Sequence, residues 1–165
     1  MENFATARLT AEKLDRMHLD DLTRLHLDPE VSRYLRGVRL PEATRVYLDV
    51  NLGHWTEHGF GLWVLRTRDG AFVGRAGLRH IEIEGVREIE IAYSLLRAHW
   101  GRGLATEITG ALTRLWLTQL HSLSLVGLLS IENTASRRVL EKSGFAFERS
   151  GIYQGADVVI FRRTR

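Results

Sequence analysis

Cysteine is absent from the chain. That excludes disulfides, thiolate metal sites and cysteine nucleophiles, and makes a reducing, cytoplasmic location the expectation. Proline is nearly absent as well: Pro29 and Pro41 are the only two. With no Pro/Ser-rich linker, repeat or low-complexity tract, residues 1–165 read as one domain. No apolar run approaches the roughly 18 residues that cross a bilayer. The opening MENFATARLT lacks a basic stretch followed by an apolar one, so neither membrane insertion nor secretion is expected. Lysine is scarce too. All but Lys13 and Lys142 of the 23 basic residues are arginine, and the net charge is only +3. The arginines are scattered rather than gathered into a stripe, so no nucleic-acid partner is expected.

The richest stretch is Glu90-Ile91-Ala92-Tyr93-Ser94-Leu95 followed by Trp100-Gly101-Arg102-Gly103-Leu104-Ala105-Thr106-Glu107. It reads as a half-buried strand, a glycine-containing loop and the start of a helix whose Leu104, Ile108, Ala111, Leu112 and Leu115 share a face. Gly101 and Gly103 let an anion approach the main chain, and the helix N-terminus presents free N–H groups and its positive dipole end. The combination is a phosphate cradle. A Walker loop reading is weakened, because no lysine lies near the glycines. A Rossmann fingerprint wants Gly or Ala where Thr106 stands and an acidic residue about 20 positions on, yet 121–130 contains no Asp or Glu. Taken alone, the Gly-x-Gly pair serves a tight strand-to-helix turn equally well.

The next segment supplies context. Ser124–Ser130 reads as a buried strand, and Asn133 and Gly144 bracket about three turns of helix as N-cap and C′ residues. With Gly103-x-Ala105 in the loop, then Asn133, Ser136 and Gly144-Phe145, the chain resembles the GNAT superfamily of acetyl-CoA-dependent N-acetyltransferases. It is most similar to the RimJ/RimL-type branch, through Ala7-Arg8-Leu9, Asp28-Pro29-Glu30-Val31, His54-Trp55, Gly59-Phe60-Gly61-Leu62-Trp63-Val64 and Val73-Gly74-Arg75-Ala76-Gly77-Leu78. Trp100 stands where the broad superfamily has Gln or Arg. Leu140 stands where many members carry a tyrosine that protonates the leaving thiol.

Periodicity predicts strands near 5–11, 60–67, 71–83, 87–96, 122–130, 145–150 and 157–163. Helices are predicted near 19–27, 29–36, 42–58, 103–120 and 133–143, giving an α+β layered fold. The resemblance adds a three-layer arrangement: a mixed, mostly antiparallel sheet of about seven strands, splayed between the fourth and fifth, with acetyl-CoA in the gap.

The resemblance also implies site roles. The pantetheine arm would pair with main-chain groups of Ser94 and Leu95, one of whose N–H groups would stabilise the oxyanion. The pyrophosphate would sit on the amides of Gly101, Arg102, Gly103, Leu104, Ala105 and Thr106. Asn133 would contact the arm, and Arg138, with Arg97, Arg102 and Arg137 nearby, suits the 3′-phosphate. Glu90, at the branch's "EIGY" glutamate position, is the expected base acting through water in a partly apolar cleft, with Glu88 its competitor on the same strand face. Ser136 is the expected proton donor or relay to sulfur, with Tyr93 and Tyr153 as runners-up. Tyr34, Arg36, Tyr153 and Asp157 would line the acceptor site. The expected acceptor is a primary amine, either a protein N-terminus or a small molecule, and the family often forms homodimers.

Two other readings remain beside this one. The missing tyrosine would suit a non-catalytic acyl-CoA-binding module. His54-Trp-Thr-Glu57-His58 spells the H-x-x-E-H zinc signature, but Gly59 ends the helix at once and no third ligand follows clearly, so no metal is expected.

Overall fold

The computed structural model describes Met1–Arg165. Its strands are β1 (Phe4–Ala5), β2 (Leu9–Lys13), β3 (Leu62–Thr67), β4 (Phe72–Ile83), β5 (Val86–Leu95), β6 (Ser124–Leu129), β7 (Ala146–Tyr153) and β8 (Ala156–Thr164). Its helices are α1 (Leu19–Leu27), α2 (Pro29–Ser32), α3 (Pro41–His58), α4 (Leu104–Gln119) and α5 (Thr134–Lys142). All eight strands form one sheet in the order β1-β2-β3-β4-β5-β6-β8-β7. Only the β5–β6 pair is parallel.

Local chemistry sets the element ends. Asp28 caps α2 by accepting from the N–H groups of Glu30 and Val31, and Pro29 occupies the first helical position. Gly59 closes α3 in the left-handed region, φ 70°, donating its N–H to the Trp55 carbonyl. Along α4, Leu104, Ile108, Ala111 and Leu112 are buried as the 3.6-residue period requires. The core joins Leu104, Ile108 and Leu112 to Leu22 and Leu25 of α1 and to the continuous apolar run Leu62-Trp63-Val64-Leu65 of β3.

Two expectations need correction. The predicted first strand at 5–11 is two strands, so the sheet has eight. Thr6 folds the chain back on itself: its N–H donates to the Leu9 carbonyl and its Oγ1 accepts from the Leu9 N–H. The helix expected over 29–36 keeps only its first turn: the Leu35 N–H already bonds three residues back to the Ser32 carbonyl, and Arg36 then adopts φ 68°. That left-handed backbone cannot continue an α-helix. The Arg36 side chain instead donates to the Tyr153 carbonyl (2.8 Å) and to Gln154 Oε1 (2.7 Å) at the tip of the β7–β8 hairpin.

Gly77 marks a close crossing in the sheet. A Cβ there would overlap the main chain of Gly61 and Leu62 on β3 and its approach. Gly61 in turn lies under the Trp55 indole, where a Cβ would come within 2.6 Å of the ring. The indole Nε1 donates to the Leu62 carbonyl at 2.8 Å. Helix α3 is therefore seated on β3 through a tryptophan over a glycine.

The sheet parts between β5 and β6. Glu90 and Val126 are the only registered partners of that pair, whereas β4 and β5 stay in register from Ile83–Val86 to Gly74–Leu95. Beyond Glu90 one edge of β5 faces a gap. This is the splay expected between the fourth and fifth predicted strands.

Gly77→Ala should lower stability by about 3 kcal/mol, because backbone rather than a movable side chain blocks the methyl group. Gly53→Ala, in α3 with nothing within 4 Å of the added carbon, should instead gain about 0.5–1 kcal/mol from helix propensity. Urea midpoints of the two variants check this pair of opposite signs.

Candidate active site

Ladder parity decides which main-chain groups of β5 are free. The Leu96 N–H donates to the Val73 carbonyl, so in the continuous register the groups of Ser94, Ala92 and Glu90 point to β4. Those of Leu95 and Tyr93 point into the gap. Of the two residues expected to meet the pantetheine arm, Ser94 thus spends its main chain on Arg75, and Leu95 offers its own to the gap. The Leu95 carbonyl already accepts from Trp100 Nε1 at 2.7 Å, which leaves the Leu95 N–H as the free donor. Trp100 fixes the loop entrance by that bond.

A cavity of about 460 Å³ fills the gap. Gly101 and Gly103 line it with left-handed backbone, φ 70° and 75°. The first bond of α4 runs from the Glu107 N–H to the Gly103 carbonyl, so the amides of Leu104, Ala105 and Thr106 have no partner within the helix. All three residues line the cavity. Arg102 does not: its carbonyl accepts from Arg8 (2.8 Å). Arg8 Nε also pairs with Glu107 at 2.6 Å, and Thr6 Oγ1 donates to the same carboxylate. The N-terminal segment therefore braces the glycine loop, an arrangement sequence reasoning missed because the partners are about a hundred positions apart. Burial works to raise the Glu107 carboxyl, but the Thr6 hydrogen bond and then the hydrogen bonds and charge of Arg8 hold it below its usual range.

Across the gap, Asn133 caps α5 by accepting from the Ser136 N–H at 3.0 Å. Both residues line the cavity, and the Ser136 hydroxyl lies beside the Tyr93 phenol. Tyr93 spans the gap, its hydroxyl donating to the Ser136 carbonyl at 3.1 Å. Burial pushes that phenol up to about 12. Leu140 packs on Gly127 of β6, where an added Cβ would lie 2.6 Å from it. Arg138 and Lys142 line the cavity from α5, while Arg137 is paired with Glu141 at 2.8 Å. Beside the cavity, Arg114, Lys142 and Arg163 line a polar groove of about 410 Å³ that sequence reasoning also missed.

Glu90 is buried and lines the cavity, whose wall is partly apolar, but it also faces a cation that the sequence reading did not name. Arg79 Nε meets Glu90 Oε2 at 2.6 Å, and the carboxylate holds Arg79 firmly protonated against the opposing effect of burial. The partner was within reach of counting: from the turn at Glu84-Gly85 the hairpin register sets residue 79 opposite residue 90. Glu88, the competitor, is tied to Arg162 at 2.7 Å outside the cavity. Tyr34 lines the cavity and Tyr153 lies close enough for the Glu90 charge to add to burial in raising its phenol. Arg36 reaches Tyr153 without lining the cavity, and Asp157 is exposed on β8 away from it.

The H-x-x-E-H histidines have other work. His54 Nδ1 bonds the Phe60 carbonyl at 2.8 Å and its Nε2 accepts from the His80 N–H at 2.9 Å, so neither nitrogen keeps a lone pair for zinc.

The acetyltransferase (GNAT) domain family model matches residues 8–146. The chain belongs to the GNAT acetyltransferase family. It is an acetyl-CoA-dependent N-acetyltransferase, moving an acyl group from acetyl-CoA to an amine. Among curated relatives, the uncharacterized protein YkkB of Bacillus subtilis (strain 168) is 28% identical over 137 residues, 82% of this chain and 80% of that protein. The uncharacterized N-acetyltransferase p20 of Bacillus licheniformis is 28% identical over 158 residues, 92% of this chain and 85% of its own. Among solved structures, an acetyltransferase from Agrobacterium tumefaciens str. C58 superposes with TM-score 0.88 at 22% identity, covering 100% of this chain and 95% of that one. A RimL ribosomal L7/L12 α-N-protein acetyltransferase in complex with coenzyme A gives TM-score 0.81 at 20% identity, with 99% and 98% covered. At these identities the two superpositions establish the GNAT fold, in agreement with the RimJ/RimL resemblance of the sequence.

Two measurements test the site. Gly103→Glu should abolish coenzyme A binding by calorimetry, since it sets bulk and negative charge among the free amides; unchanged affinity would refute the cradle. His26, fully buried near Arg75 and Arg39, is held down to about 3 from 6.5, by burial first and then by those two cations. Its neutral form stabilises the fold fully above the unfolded value of 6.5. That stability should drain as pH falls toward 3, by roughly 2 kcal/mol at about pH 5. Urea midpoints across this range should show the slope, and His26→Gln should reduce it.

Proposed function

We propose that the protein acetylates a primary amine by direct attack in a ternary complex. The Leu95 N–H would stabilise the oxyanion, Glu90 would collect the amine proton and Ser136 would lie beside the departing sulfur. The observation that carries the reading is the gap itself. A free main-chain donor at Leu95, free amides at Leu104–Thr106 and the Ser136 hydroxyl line one cavity.

An extended pantetheine arm matches the unpaired edge of β5 as a further strand would. Its diphosphate suits the N-terminus of α4, and the 3′-phosphate suits the cations of Arg138 and Lys142 or the adjoining Arg114–Arg163 groove. The amine nitrogen bonds to the thioester carbonyl carbon, and the oxyanion takes the Leu95 N–H. When the C–S bond breaks, the electron pair leaves with sulfur, which is protonated from water hydrogen-bonded to Ser136. The amine proton passes through water to Glu90, whose Oε1 is not engaged by Arg79.

The arrangement offers no acid at Leu140, and a serine hydroxyl is too weak an acid to replace a tyrosine outright. Ser136 is therefore assigned the orienting of water. The alternative of a non-catalytic acyl-CoA module is disfavoured by Glu90 and Ser136 flanking the same gap. Localisation in the cytoplasm, where acetyl-CoA is made available, fits the absence of cysteine.

Release of free thiol from acetyl-CoA in the presence of a panel of primary amines tests the proposal, and binding without turnover on any amine would defeat it. Glu90→Gln should lower kcat about 10²–10³-fold at neutral pH with coenzyme A affinity nearly intact. Ser136→Ala should cost only about 3–10-fold, and no loss at all would assign protonation to bulk water.

A further inference from the structure

Burying a guanidinium away from any anion is costly, because lost hydration finds no Coulombic return. Arg75 is the only buried arginine of the chain, 4% exposed. It lines the cavity from β4, opposite Ser94 on β5. No carboxylate or carbonyl accepts a hydrogen bond from it, and its Nε is sealed from solvent without a partner. Its guanidinium lies over the Tyr47 ring of α3 at 5.5 Å, and Arg39 lies over the same ring at 5.1 Å. Arg39 Nη1 and the Tyr47 hydroxyl are likewise buried and unpaired.

Charge balance at this end of the cleft is one-sided. The lining carboxylates are Glu30 and Glu90. Glu30 stands on the exposed rim in α2, and Glu90 is committed to Arg79. His26 Nδ1 is engaged with Thr44 at 3.0 Å and contributes no negative charge. Two cations with buried unpaired donors, Arg75 and Arg39, therefore stand beside the acceptor end without a counter-charge.

We propose that the acceptor amine carries a carboxylate, seated on Arg75 with Arg39 and Tyr47 behind it, so that the substrate is a small amine of the amino-acid class. The proposal rests on the acetyl-transfer reading of the same cleft and narrows its acceptor. A guanidinium fork matches a carboxylate bidentately. The same positive field disfavours an ammonium, which eases loss of the amine proton. It also opposes a polyamine, whose further charges would be cationic. A compact acceptor is favoured over a polypeptide because Arg36, bonded to Tyr153 and Gln154, straps the α2–α3 loop to the β7–β8 hairpin beside Glu90.

The test uses wild-type protein with acetyl-CoA and matched acceptors: an α-amino acid, its carboxamide, the decarboxylated amine, a peptide with a free N-terminus, and spermidine. The carboxylate-bearing amino acid should exceed its carboxamide in kcat/KM by about 100-fold, chiefly through KM. Arg75→Met should collapse that ratio to within about 5-fold, and Arg75→Lys should restore part of it. Equal or better turnover of carboxamide, peptide or spermidine would overturn the carboxylate site while leaving acetyl transfer standing. If none of the amines turned over, thermal shift with the N-acetylated amino acid as probe decides. Stabilisation of wild type that Arg75→Met loses upholds the site, and no stabilisation of wild type overturns it. Because the wild-type comparison needs no variant, misfolding of Arg75→Met would not shield the proposal.

Discussion

One parallel strand pair that fails to continue governs this molecule. β5 and β6 share a single registered position, Glu90 with Val126, and then diverge. Neighbouring strands elsewhere in the sheet are joined by antiparallel ladders. Here the divergence leaves main-chain groups that water or a ligand must satisfy, because a buried amide without a partner is expensive. The gap persists because packing on either side is already settled. α3 is locked to β3 through Trp55 and Gly61, Tyr93 spans to α5, and Leu140 fills the hollow over Gly127. Separation is the low-energy arrangement of two well-packed halves, and the cofactor-sized cavity is its by-product.

Legibility in the sequence followed the range of the interaction. The strand-loop-helix around Gly101 and Gly103, the Asn133 cap and the Gly59 stop are encoded within a few residues, and periodicity located the helices to within one residue or so except after Ser32. There the chain tightens after one turn and becomes left-handed at Arg36, whose side chain is held by a hairpin more than a hundred positions away. The first strand was misread for a smaller reason: Thr6 makes a side-chain turn that no alternation pattern reveals.

The site was legible as an inventory and less so as an electrostatic environment. Glu90, Ser94, Leu95, Asn133, Ser136 and Arg138 do come to one cavity. What periodicity could not supply was who faces whom. Arg79 against Glu90 follows from hairpin register once the turn is known, whereas Arg75, Arg39 and Tyr47 meet only because α3 folds over β4. Parity along β5 likewise divides Ser94 from Leu95, two neighbours that look equivalent in a string of letters.

The tie between Arg8 and Glu107 joins positions 99 apart in the chain. Closing so long a loop carries an entropic penalty that local turns avoid, and contacts of this kind form late when a chain collapses. The glycine bend therefore depends on contact between the first and middle thirds of the polypeptide. A polypeptide lacking either partner has nothing to hold that bend in place.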